Sequence, residues 1–158
     1  WIRIPPDASY AYPNGIVSWG THEEARKWQV CWNNGDQGTV GALRVEFGNG
    51  YLIGTTDLRD GLWHHVSVVF LGGVDTDVAS HVKLYVDGRL ETLSGRKSQF
   101  IRTDTESTQA IALTLGRWLG NWPDKEPFFF NGSLDEIFIF EDALTPAQVA
   151  KLAQRGTP

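Results

Sequence analysis

The feature that most constrains the fold is a succession of short apolar or alternating runs, none long enough for an ordinary helix, each closed by Gly, Asn, Asp or Pro. They are IVSW near residue 17, WQVCW at 28–32, ALRVEF at 42–47, YLIG from 51, WHHVSVVFL at 63–71, HVKLYV at 81–86, IALTLG at 111–116 and LDEIFIF at 134–140. In HVKLYV, Val82, Leu84 and Val86 share one face and Lys83 and Tyr85 the other, the period of a strand with one face in a core. LDEIFIF separates Leu134, Glu136, Phe138 and Phe140 from Asp135, Ile137 and Ile139, and this double apolarity predicts a central, covered strand. One weak strand is expected around Phe100 and Ile101 within the polar stretch 94–109. The pattern predicts an all-β, two-sheet antiparallel sandwich of at least ten strands.

One helix is legible, at the end. Thr145 is its cap, Pro146 its first residue and Gln148 the partner that completes a capping box, while Leu144 and Val149 form a hydrophobic staple. The helix is expected over about Thr145 to Gln154, with Gly156 as its stop.

The 158 residues suit one domain, and neither a repeat nor a low-complexity linker divides them. A net charge of −5 opposes nucleic-acid binding, and the lack of a long apolar run opposes membrane insertion. The one cysteine, Cys31, lies in an apolar stretch and reads as a buried small hydrophobe. A strand-like start at Trp1 and the absence of methionine suggest an excised interior part of a longer parent chain.

Four blocks, DGLWHHVSVVF at 60–70, KLYVDGRLE at 83–91, LTLGR at 113–117 and FNGSLDEIFIFEDALTPAQVAKL at 130–152, resemble in order and spacing the laminin-G-like jelly rolls of the concanavalin-A-like superfamily. The resemblance covers the chain from Trp1 through the terminal helix, so residues 1–158 read as one such domain. It implies one or two further strands before Trp1, which makes the domain N-terminally incomplete and leaves an unpaired edge open to a partner. It also implies a secreted or cell-surface setting, beside other domains of the same parent chain.

Trp63 reads as a plug between the sheets. His64 and His65 point to opposite faces and cannot both bind one metal. Asp75 and Asp77 read as parts of a solvated loop, and Asn131-Gly132-Ser133 as a tight turn. Hydrolases of the superfamily need two carboxylates two or four residues apart on one strand face. Glu136 is followed at those spacings by Phe138 and Phe140, so no enzymatic activity is expected.

The loop RWLGNWPDKEP at 117–127 places Trp118 and Trp122 among Asn121, Asp124, Lys125 and Glu126. Aromatic faces for sugar CH groups beside amides and carboxylates for hydroxyls make Trp118, Asn121, Trp122, Asp124 and Glu126 the candidate ligand site. Trp28, Trp32 and Tyr51 are expected to pack instead. The resemblance implies a structural Ca²⁺ in many relatives, and Asp135 matches the acidic position of its last-strand motif, as an inward or edge carboxylate. The expected function is a non-catalytic carbohydrate-binding module, with polysaccharide or glycan as partner. The alternatives are a protein-interaction or adhesion module and a degenerate polysaccharide-active enzyme domain.

Overall fold

The computed structural model describes residues 1–9, 14–21, 26–35, 37–103, 106–108, 110–118, 129–156 and 158. In chain order the elements are β1 (Ile2–Arg3), β2 (Asn14–Gly20), β3 (Lys27–Trp32), β4 (Leu43–Phe47), β5 (Gly50–Ile53), β6 (Trp63–His64), β7 (Val66–Phe70), α1 (Val78–His81), β8 (Val82–Val86), β9 (Arg89–Leu90), β10 (Gly95–Lys97), β11 (Ile111–Leu115), β12 (Ser133–Leu134) and α2 (Pro146–Ala153).

A six-stranded antiparallel sheet runs β10-β5-β4-β3-β2-β11. Two three-stranded sheets, β12-β1-β6 and β7-β8-β9, join through the chain at His65, between β6 and β7. The hydrophobic core combines Trp28, Val30, Trp32, Leu43, Val45, Phe47 and Leu52 of the six-stranded sheet with Ile2, Val66, Val68, Phe70, Val82, Leu84 and Val86 of the other two. The alternation read in HVKLYV thus holds, and the all-β sandwich is the observed architecture.

Asp87-Gly88 makes the tight hairpin between β8 and β9, with Val86 opposite Arg89 and positive φ at both turn residues (49° and 76°). Helix α2 has the expected capping box, Gln148 N donating to Thr145 Oγ1 and Thr145 N to Gln148 Oε1. Its Val149, with Leu144, packs on Val69 and Tyr85, the outer face of β7 and β8.

Several expectations are corrected. Helix α1 was not anticipated; Asp77, read as a loop residue, caps it by accepting from Ala79 N at 2.8 Å. Phe100 forms only a bridge to Asp77, and the strand of that stretch is β10. Trp63 is half-buried against Arg3, whose guanidinium lies 5.3 Å from its ring centroid, rather than plugging the core. The largest correction concerns LDEIFIF. Leu134 pairs with Ile2, but the strand ends there, Glu136 takes φ 45°, and Phe138 and Ile139 are 58% and 65% exposed. The strand pairing of this segment is confined to Ser133 and Leu134, opposite Arg3 and Ile2.

Candidate functional site

Strand β3 alternates strictly. Trp28, Val30 and Trp32 enter the core, so Lys27, Gln29 and Cys31 point to the opposite face of the six-stranded sheet. The register carries that face across all six strands in one row: Thr114, Ser18, Gln29, Glu46, Tyr51 and Lys97 are successive cross-strand partners. The row is polar throughout, and its middle is buried, with Ser18 and Gln29 at 0% and Glu46 at 9% exposure.

Charge in this row is organised around one carboxylate. Glu46 Oε2 lies 2.8 Å from Arg44 Nη2, and Glu46 Oε1 lies 4.0 Å from Lys27 Nζ. Arg44 also donates from Nη1 to Asn33 Oδ1 at 3.1 Å and covers Tyr51, its guanidinium carbon 4.9 Å from the ring centroid. Burial pushes the Lys27 ammonium below its ordinary pKa, against the opposing pull of Glu46. The Cys31 thiol is pushed up to about 12 by burial, so it is inert, as its sequence setting suggested.

Trp118 roofs one end. Its ring is 7% exposed and stacks on Lys27, and Ser18 Oγ donates to Arg117 O at 3.0 Å, which ties the start of the 117–127 loop to the sheet. Backbone contact there is close: a Cβ on Gly15 would stand 2.3 Å from Arg117 C. Gln29 is the anomaly of the site. Among the described residues neither atom of its fully buried amide has a hydrogen-bond partner, and Arg44 Nε likewise has none. Native proteins leave few such groups, and each costs about 1–3 kcal/mol of desolvation.

Of the sequence-predicted site, Trp118 is present but buried on Lys27 rather than exposed. Asn121, Trp122, Asp124 and Glu126 lie outside the described residues. Trp28 and Trp32 pack in the core as expected, and Tyr51 is half-buried on the polar face. Asp135 is an exposed residue, not an inward one; its Oδ1 accepts from Glu136 N, and its backbone carbonyl accepts from the Trp1 ammonium. Among the described residues no group of three or more His, Cys, Asp or Glu side chains converges to hold a metal ion.

The polar row itself was missed. Its signal was available in the interleaving of Lys27, Gln29 and Cys31 with aromatic and aliphatic neighbours, and of Arg44 and Glu46 with Leu43, Val45 and Phe47.

Comparison with known families matches residues 1–150 to the laminin-G family of the concanavalin A-like lectin/glucanases superfamily. The chain belongs to that family. Comparisons with curated proteins and with solved structures find no match. Membership of the laminin-G family fits a lectin-like or adhesion module. Among the described residues no helix is long and apolar enough to cross a membrane.

Proposed function

We propose that this laminin-G-like domain is a non-catalytic carbohydrate-binding module of a larger extracellular protein, and that it takes a glycan on the polar face of its six-stranded sheet. The observation that carries this reading is the buried, unpartnered amide of Gln29 at the centre of a row of hydrogen-bonding side chains. A sugar offers what that amide lacks, hydroxyl groups that donate and accept at once.

The other parts of the face suit the same ligand. Arg44 Nε supplies a further donor, Glu46 an acceptor, and Tyr51 and Trp118 supply aromatic surface at the two ends. The row is accessible at its edges, where Thr114 and Tyr51 are half-buried and Lys97 is exposed. Departure of Trp118 from Lys27 would free its ring face for the CH side of a sugar ring. Glu46 is the one carboxylate of the row, and two residues before it on β4 stands Arg44, so among the described residues the row does not hold the pair of carboxylates used in glycoside hydrolysis.

The test is a glycan array probed with the chain, followed by calorimetric titration of each hit with the wild type and a Trp118→Ala variant. Saturable binding that the variant weakens by about 10-fold or more supports the reading, on the usual worth of an aromatic contact. Absence of any hit, or hits to which Trp118→Ala binds with wild-type affinity, overturns it.

A further inference from the structure

His64 ends β6 with its ring held between two connecting segments. Nδ1 lies 2.8 Å from Asp87 Oδ2 in the β8–β9 hairpin, and Nε2 lies 3.1 Å and 3.2 Å from Asp60 Oδ2 and Oδ1 in the segment between β5 and β6. The side chain is only 13% accessible, so water is a poor substitute for either partner. A neutral imidazole carries one N–H, and an ionised carboxylate only accepts, so both contacts are hydrogen bonds only when the ring holds two protons. The geometry is that of an imidazolium.

Loss of one proton sets one ring nitrogen against an acceptor, and the surrounding bonds decide which. Asp87 is tied to the strand by a reciprocal pair, its N donating to His65 O at 2.8 Å and its Oδ1 accepting from His65 N at 2.9 Å. Asp60 Oδ1 instead accepts from Leu62 N at 2.8 Å, within its own turn. The remaining proton therefore stays on Nδ1 with Asp87, and Nε2 then meets the Asp60 carboxylate lone pair to lone pair.

We propose that His64 is a proton-operated clasp: the doubly protonated ring fastens the turn at residues 59–62 to the β8–β9 hairpin, and loss of the Nε2 proton releases that turn. The moving part is bounded. Leu58, fully buried and with its N bonded to Gly41 O at 3.1 Å, anchors one side, and β6 anchors the other. Between them Gly61, at φ 80°, donates to Ile4 O at 3.0 Å, and Leu62 is 63% exposed, so release breaks the Gly61 bond and presents Leu62 differently. Among the described residues the charged groups acting on the ring are Asp87 and Asp60; β1 sets uncharged Ile2 opposite it, Arg3 lies over Trp63, and His65 points to the other face of the strand. Burial lowers the pKa of His64, but the hydrogen bonds and charges of the two acids outweigh burial, which puts the release above about pH 6.5.

Hydrogen exchange at the Gly61 amide, corrected for its intrinsic pH dependence, reads the clasp, and the Leu58 amide is the control for general loosening. The variant is Asp60→Asn. Its amide oxygen keeps the bond from Leu62 N while its NH2 donates to Nε2 of a neutral ring, so the clasp no longer needs the second proton. In the wild type, protection at Gly61 is expected to fall about 10-fold or more between about pH 6 and about pH 9, on the usual worth of a charged hydrogen bond, while Leu58 stays protected. Asp60→Asn is expected to hold the wild type's acid level of protection at both pH values. Constant protection at Gly61 in the wild type, or a parallel fall at Leu58, overturns the proposal. So does an Asp60→Asn variant that loses protection as the wild type does or lacks it at both pH values.

Discussion

The ammonium of Lys27 lies 4.8 Å from the centroid of the Trp118 ring, with both side chains almost completely buried. A desolvated cation on an aromatic face is worth about 2 kcal/mol, and deleting a buried tryptophan costs about 3–5 kcal/mol. Trp118→Ala is therefore expected to lower the unfolding free energy in urea by about 3 kcal/mol, and Trp118→Phe by less than half of that. Equal losses from the two variants would mean that ring contact with Lys27 contributes nothing.

Glu46 faces two buried cations, so its removal takes a carboxylate partner from both. Glu46→Ala is expected to cost about 3–5 kcal/mol. The pair of Arg59 and Asp57 has the same 2.8 Å separation but an exposed carboxylate, and Asp57→Ala is expected to cost about 1 kcal/mol or less. Denaturant titrations of the two variants give the comparison directly.

His64 sits between two carboxylates, Nδ1 2.8 Å from Asp87 Oδ2 and Nε2 3.1 Å from Asp60 Oδ2. Burial lowers its pKa, but the hydrogen bonds and charges of Asp87 and Asp60 outweigh burial and raise it above the ordinary value. A raised histidine stabilises the fold fully below its unfolded pKa of about 6.5 and loses that contribution as pH rises through the folded value. His65 acts oppositely, lowered by burial. The difference in Tm between wild type and His64→Gln cancels His65. It is expected to be largest near pH 6 and to shrink steadily toward pH 8.5; a difference that grows with pH refutes the assignment.

The hairpin at Asp87-Gly88 also carries the helix. A Cβ on Gly88 would lie 3.0 Å from Ala150 Cα, and φ there is 76°. Gly88→Ala is expected to destabilise by more than about 1 kcal/mol, through backbone strain and displacement of α2. Thr145→Ala removes only the cap and is expected to cost about 1 kcal/mol. Thermal denaturation of both variants should rank them in that order.

Local signals were the legible part of this fold. The Thr145–Gln148 capping box depends on residues within a few positions, and it occurs where the sequence puts it. LDEIFIF was misread because apolarity on both faces implies a covered strand only where a neighbour pairs with it, and only Ser133 and Leu134 are paired, with β1. The same limit hid the site. Gln29 and Glu46 belong to different strands, and only the register of β3 on β4 makes them neighbours. Composition of the 117–127 loop pointed to tryptophan and sugar, but not to the sheet face on which Trp118 rests.

Gln29→Leu tests the central claim most directly, because it removes the unpartnered amide while keeping its volume. Stability and glycan affinity should then move apart. The account predicts a Tm equal to or above that of the wild type, since an unsatisfied buried group is replaced by an apolar one, together with a loss of glycan affinity of about 10-fold or more from two missing hydrogen bonds. Wild-type affinity in a folded Gln29→Leu variant, for every glycan the domain binds, would contradict it.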